Sequence, residues 1–591
     1  MQMLARDKIK FGWSLALGLS ICMGVAQAQA PGDQQPLKGV HPGYTLSSVA
    51  PAGLEPGVSG MDFLSDGRLV ICTWGGTHAK LVPPSQNGDV YILDNVGQDD
   101  SSKVTYKKFA SGLQEPLGLK VVNDTIYVTE RMALAMLVDK NKDGVMDGDG
   151  YRKLSAFTTG SPRHEFFFGL VYKDGFFYGA QSLSLNSGAS FVPQPEANRG
   201  TYVKIEKSTG KAEYISGGAR EPFGLGMNSR GEIWSTEVQG SWNPACGFTL
   251  VRPGRFYGHP LLNQVPPSPF DAMPYNPPAV QMPEAEIAMA PGQPVYVQDG
   301  IFKDQYFYGD ESYGGIQRIF LEKINGEYQG VVFRFSAGFT SGVSRLVFAP
   351  NGDLFVGEIG DEGGGNWLEP GKLTYGLQKL KANGKTAFEM LSIRSRPKGM
   401  EIEFTEPVAA DANLATNYQV KSWYYTRTFD YGGPKVGTKT LTVSSVQVNP
   451  DKKRVYLEIQ GLEKDRLIYI RLAGLKSAAG KAPWNSEAWY TLNALGSGNP
   501  FDLAVAVEPV EEKIVPNGLS LSRVAGVIYF NVAVDSPYAL EVVNATGVFQ
   551  RGYRGQGPSR QSLGVSGLSR GNYVVTLKVG NQRLSRPLAI Y

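Results

Sequence analysis

The sequence predicts an all-β protein. It reads as a six-bladed β-propeller, then an immunoglobulin-like β-sandwich, then a small C-terminal β-sandwich. Three observations predict this. A strand-turn-strand signature recurs from about residue 45 to residue 384. Near Lys385 it gives way to alternating strands bounded by turn residues. The composition, with Gly 72, Tyr 29 and Phe 28 among 591 residues, suits strands joined by many tight turns. The length exceeds that of one domain.

The N-terminus reads as a signal peptide over residues 1–28. Arg6, Lys8 and Lys10 precede an apolar run from Phe11 to Val25, and Ala26-Gln-Ala28 offers small residues for cleavage after Ala28. That run is too short to span a bilayer comfortably, and no later segment is apolar enough to cross one. The mature chain is therefore expected to be exported, whether periplasmic, surface-bound or secreted. Residues 29 to about 45 form a loose lead-in.

The propeller, residues 45–384, rests on its repeats. Glu115-Pro-Leu-Gly-Leu119 leads into a strand, an Asn-Asp turn and a second strand ending at Glu130. Glu221-Pro-Phe-Gly-Leu225 leads likewise to Glu237, Ser341-Gly-Val-Ser-Arg-Leu346 to Glu358, and Glu55-Pro-Gly-Val-Ser-Gly-Met61 to Cys72. Phe168-Gly-Leu170 opens a fifth copy, and Phe302 to Asp310 fits a degenerate sixth. A hairpin unit of this kind, recurring every several tens of residues, is the signature of propeller blades. The proline-dense stretch from Asn263 to Gly292 is expected to be a long loop with no regular strand or helix.

Residues 385–495 alternate as a sandwich does, in Glu401-Ile-Glu-Phe-Thr405, Asn417 to Val420, Thr440 to Val443, Val455 to Ile459 and Ile468 to Leu472. Residues 496–518 read as a linker. The last domain, 519–591, carries Leu568-Ser-Arg-Gly-Asn-Tyr573 and ends on a hairpin. That pattern resembles the C-terminal sorting domain of type IX secretion, and an ordinary β-sandwich fits it equally.

Composition excludes some classes. The formal net charge is +3 and no basic run suggests nucleic acid. No Cys-x-x-Cys-His segment could attach a c-type haem. After cleavage only Cys72 and Cys246 remain, either paired or buried as free thiols.

Two features carry chemistry by themselves. A hairpin returns its second strand to the edge where its first began, so Glu115, Glu130, Glu221, Glu237 and Glu358 are expected at one rim, with Glu55, Glu165, Gln181 and Asp310 near it. Clustered carboxylates repel unless a cation or basic ligand offsets them. In Asp139-Lys-Asn-Lys-Asp143-Gly-Val-Met-Asp147, the oxygens of Asp139, Asn141, Asp143 and Asp147 take calcium-loop spacing about a turn at Gly144. Gly150 stands where an EF-hand has its bidentate Glu, so the expectation is a short structural calcium loop or a solvated turn.

Arg220-Glu-Pro-Phe-Gly-Leu225, Glu237-Val-Gln-Gly240 and Gly254-Arg-Phe-Tyr-Gly-His-Pro260, taken in order, resemble the soluble quinoprotein glucose/sorbosone dehydrogenase propellers. That family has Arg-Asn-Pro-x-Gly, then Glu-Gln-Gly, then Asn-Tyr-Gly-Trp-Pro. Here Glu221 stands in the place of the Asn, and Val238 is inserted. Arg163-His164 precedes Glu165-Phe-Phe-Phe-Gly-Leu170 as the family's catalytic His precedes a Gly-rich strand, and Tyr313-Gly-Gly-Ile-Gln-Arg318 resembles a late blade edge.

The resemblance implies pyrroloquinoline quinone held against calcium. Arg220 and Arg318 would take cofactor carboxylates, Glu221 would lie beside them, and Gln239 and Gly240 would offer carbonyls to calcium. His164 would be the base that takes a hydroxyl proton. The function so implied is oxidation of a sugar or other alcohol, with electrons passed to an external acceptor. The other class open to the sequence is a non-redox propeller, either a metal-dependent lactonase-like hydrolase or a carbohydrate-binding surface protein. His41 and His78 stand in no motif, and His259 reads as a turn residue.

Overall fold

A computed structural model of the chain describes residues 37, 39–75, 86–160, 165–185, 196–260, 267–360, 373–501 and, with short gaps, 519–590. The expected leader, residues 502–518 of the linker, His78 and His164 lie outside the described residues. The chain divides into two compact units, Met1–Gly498 and Asn499–Tyr591.

The first unit is built on six antiparallel four-stranded blades. Their inner strands are Val58–Phe63, Gly118–Val122, Phe167–Lys173, Gly224–Met227, Pro291–Tyr296 and Gly342–Phe348. Each inner strand contacts the next, and the sixth contacts the first, so the blades close into a ring. Local turn chemistry sets the hairpins. Asn123 and Asp124 both adopt positive φ, at 50° and 57°, and Asp174 and Gly175 do so at 51° and 86°. Such paired left-handed residues match the twist of two-residue hairpins.

The core lies between blades. Val70, Cys72, Val90 and Ile92 of blade 1 pack on Leu119, Ile126 and Val128 of blade 2. Near the axis, buried Arg345 of blade 6 donates from Nε to Ser59 O of blade 1 at 2.7 Å and from Nη2 to Leu117 O at 2.8 Å. Burial pushes its guanidinium down to about 10. Cys72 and Cys246 are buried free thiols in different blades, and burial raises Cys72 to about 11.

The ring closes through the lead-in. Tyr44–Ser48 pairs with Tyr375–Ala382 and supplies the outer strand of blade 6. His41 precedes it. Its Nδ1 accepts the Gly43 N–H at 3.0 Å, so its Nε2 carries the proton and donates to Glu389 at 2.7 Å. The ring also stacks on Phe335 at 4.7 Å. Although His41 stands in no sequence motif, it is the buried anchor of the lead-in.

The proline-dense stretch departs from expectation. Val280–Met282 is a strand, the outer strand of blade 4, pairing with Cys246–Leu250. Pro278 and Pro283 flank it, and an outermost strand has one ladder free of obligatory donors, which is where proline is tolerated.

The sandwich has one sheet of Met390–Arg396, Gly399–Phe404, Arg454–Ile459 and Val443–Val448. Its other strands are Tyr418–Tyr424, Val436–Leu441, Arg466–Leu472 and Glu487–Leu492. The last of these pairs with the outer strand of blade 5, Glu327–Ser336, through Gly330 with Thr491, Val331 with Tyr490 and Val332 with Trp489. Blade 5 and this half of the sandwich are thus one eight-stranded sheet.

The second unit is a two-sheet all-β body. Leu519–Val524, Val527–Val532 and Ser559–Gly564 form one sheet; Phe549–Gln556, Pro537–Asn544, Gly571–Val579 and Gln582–Ile590 form the other. Ile528, Phe530, Leu540, Val542, Val575 and Leu577 fill its core.

Candidate functional site

The rim carboxylates share one contact. In four blades the acid ending the second strand accepts backbone N–H groups from the segment entering the same blade. Glu130 accepts from Gln114 at 2.6 Å, and Glu358 from Ser341 at 2.5 Å. Asp310 accepts from Met289 at 2.8 Å, Ala290 at 3.0 Å, Ser312 at 3.1 Å and Tyr313 at 2.7 Å. Glu237 accepts from Arg220 at 3.1 Å and from Glu221. All four are buried.

In blade 3 Gln181 takes that place, and buried Glu165 accepts from Thr159, Gly160 and Ser184. Glu115 pairs with Arg131 at 3.3 Å, and Glu55 is exposed and accepts from the Tyr375 hydroxyl at 2.8 Å. Amide donors therefore do the offsetting that the sequence suggested for a cation or basic ligand. Burial still pushes Glu237 up to about 8 and Asp310 up to about 6, against the pull of those same donors.

Blade 4 brings most of the family-like residues together. Arg220 is buried at the entry to the inner strand, and Gln239 and Gly240 follow the second strand. Arg220 Nη1 pairs with Glu221 Oε2 at 3.2 Å. Its guanidinium lies 5.3 Å from the Tyr431 ring centroid. Gly240 is needed there, since a Cβ on it would fall 2.0 Å from Arg220 Nε. The Gly240 carbonyl accepts the Gly432 N–H at 3.1 Å. Burial raises the carboxyl of Glu284 nearby, and the buried Gln239 Nε2 has no hydrogen-bond partner. His259, buried nearby, is pushed down to about 3 by burial and is neutral at physiological pH.

Tyr431 and Gly432 belong to the sandwich segment between Tyr418–Tyr424 and Val436–Leu441. This segment straps over blade 4. Trp242 donates its N–H to Thr428 O at 2.7 Å, and Arg427 lies 3.7 Å from the Tyr275 ring centroid. No local sequence pattern marks the strap, because its partners are distant in the chain.

The remaining candidates lie elsewhere. Arg318 is on the third strand of blade 5 and is locked to the chain entering the sandwich. Its Nη1 donates to Gln305 at 2.5 Å and Leu391 O at 2.9 Å, and its Nη2 to Glu389 at 3.0 Å and Met390 O at 2.6 Å. It forms a buried network with Glu389 and His41, not a pair with Arg220.

Asp139, Asn141, Asp143 and Asp147 share one loop in blade 2, and each caps backbone. Asp139 accepts from Asp143 at 3.2 Å and Gly144 at 2.8 Å, Asn141 from Asp143 at 2.9 Å, Asp143 from Val145 at 2.8 Å and Asp147 from Lys140 at 2.8 Å. Among the described residues no group of three or more His, Cys, Asp or Glu is arranged to hold a metal ion.

A family model described only as a domain of unknown function, DUF7133, matches residues 37–253. No curated protein matches. Solved propellers are similar at low identity. An oxidoreductase of Thermus thermophilus assigned as a glucose dehydrogenase is 17% identical, covering 57% of this chain and 100% of its own, with a TM-score of 0.42. The quinone-bound aldose sugar dehydrogenase of Streptomyces coelicolor is 15% identical over 58% of this chain and 99% of its own, with a TM-score of 0.41. A gluconolactonase of Xanthomonas campestris is 12% identical over 59% and 96%, with a TM-score of 0.35. The class that the fold defines is an all-β propeller protein.

The described residues do not fit pyrroloquinoline quinone. A tricarboxylate needs an arginine fork facing it, and calcium needs an outward carbonyl. Here Arg220 is paired with Glu221 and covered by Tyr431, and the Gly240 carbonyl receives Gly432.

Proposed function

We propose that this protein is a non-redox propeller that binds a small carbohydrate-type ligand at the blade 4 rim, and that it is not a working quinone dehydrogenase. The observation that carries this reading is the strap. Tyr431 over Arg220 and Gly432 on Gly240 put the chain's own groups where the quinone and calcium would have to be. Glu221 adds a carboxylate beside a site that would have to receive three more. The expected leader fits delivery of such a binder outside the cytoplasm.

The test is a dye-reduction assay. Purified protein is incubated with pyrroloquinoline quinone and calcium and offered aldoses and alcohols. This reading expects no sugar-dependent dye reduction above a no-protein control. Turnover that requires both quinone and calcium would return the chain to the dehydrogenase class, and hydrolysis of sugar lactones by the same preparation would place it with the hydrolases.

A further inference from the structure

A cavity of about 230 Å³ opens between blade 4 and the sandwich strap. Its walls combine the rings of Trp242, Tyr275 and Tyr425 with Glu237 and Asn243. Glu237 and Asn243 are each 8% exposed. Glu237 Oε1 receives two backbone N–H groups, but its Oε2 has no hydrogen-bond partner, and neither has Asn243 Nδ2. Two unpaired polar atoms on residues more than nine-tenths buried are uncommon, because each loses its water without replacement. Both residues line the same cavity. Trp242 is held there in a left-handed conformation at φ 63°, a strained geometry for a bulky residue.

The lining also bounds the ligand. Arg427 and Arg466 contribute positive charge, and Asp465 and Glu237 contribute carboxyl groups. Arg466 is already paired with Glu463 and Asp465 with Lys464, Arg427 lies against the Tyr275 ring, and Glu237 holds its proton up to about pH 8, so an uncharged ligand is favoured. Flat aromatic walls suit the C–H face of a saturated ring, while Glu237 Oε2 and Asn243 Nδ2 suit hydroxyls at its edge. The volume lies below the roughly 300–1,000 Å³ of pockets for larger ligands, which suits one ring rather than a chain.

We infer that this cavity is a binding site for a single uncharged sugar ring, with Glu237 and Asn243 bonding its hydroxyls and the Trp242, Tyr275 and Tyr425 rings enclosing it. The inference rests on the non-redox reading and gives its rim site a ligand class.

The experiment titrates free monosaccharides, led by D-glucose, D-galactose and L-arabinose, into the full-length mature protein. Calorimetry and saturation-transfer NMR report binding. At least one sugar should bind the wild type. Asn243→Ala removes an unpaired donor and breaks no hydrogen bond of its side chain, so it should weaken that sugar about five- to tenfold without lowering the melting temperature. Gly247→Leu should abolish binding, since a Cβ on Gly247 lies 3.4 Å from Pro278 and 3.8 Å from the Glu237 Cβ, beside the cavity. If Gly247→Leu fails to fold, Asn243→Ala and Glu237→Gln decide.

Failure of every sugar in the panel to bind the wild type would overturn the inference, as would binding that Asn243→Ala and Glu237→Gln leave unchanged. The quinone assay separates the two claims. Sugar binding lost in the cavity variants supports the site whatever that assay gives, and quinone-dependent turnover sinks only the non-redox reading.

Discussion

Glu237 is one side chain with two tasks. One oxygen caps the backbone entering blade 4, and the other has no hydrogen-bond partner, on a residue that lines a cavity. Its acidity is shifted by burial first, which raises its pKa, with Glu221 adding to the rise and Arg220 opposing it. The folded state holds this proton up to about pH 8, while the unfolded chain releases it near the ordinary carboxyl value of about 4.5. Its contribution is fully present below that value and is lost as pH rises through about 8. The wild type should therefore lose stability relative to Glu237→Gln between about pH 5 and pH 8. Parallel curves from chemical denaturation across that range would show that the carboxyl titrates normally.

Asp139 is the corresponding case in blade 2. Asp139→Ala leaves the Gly144 N–H without its acceptor, while the Asp143 N–H keeps Asn141, at a cost of about 1 kcal/mol. A capping role predicts the same cost in calcium and in chelator. A cost that appears only with calcium would make the loop a metal site. The oxygen spacing was legible in the sequence. Whether those oxygens face a cation or their own amides was not, since both uses select the same residues.

At the scale of elements, short-range turn chemistry was readable and long-range pairing was not. The Asn123-Asp124 and Asp174-Gly175 hairpins follow from residues adjacent in sequence. The Glu130, Glu237 and Glu358 positions followed from hairpin return. The join between Glu327–Ser336 and Glu487–Leu492 did not, because an edge strand does not announce its partner. The strand Val280–Met282 was hidden by the prolines beside it.

Cutting the chain after Ala382 strips the outer strand of blade 5 of its partner and uncovers Trp489's packing site. The truncated propeller should melt at least about 5 °C lower or aggregate through that edge. An unchanged melting temperature would show that blade 5 is complete alone. His41→Phe keeps the stacking on Phe335 but removes the bond to Glu389, so thermal unfolding should show a loss of about 1.5–3 kcal/mol.

The propeller unit as a whole is a ring whose rim is stitched by its own acids and whose fourth blade is closed by a strap from the sandwich. Arg220, Glu221 and Gly240, picked out by the order of family-like motifs, lie together in blade 4. Arg318 shared a motif with that family and was drawn instead into the junction with Glu389. What motif order could not convey is that Tyr431, far along the chain, covers Arg220.

The most direct test is an absorbance titration of pyrroloquinoline quinone, with calcium, into wild-type protein and into a Glu221→Asn, Tyr431→Gly variant. The strap account predicts no saturable cofactor spectrum with the wild type. Stoichiometric quinone binding by the wild type, weakened by Arg220→Ala, would contradict it.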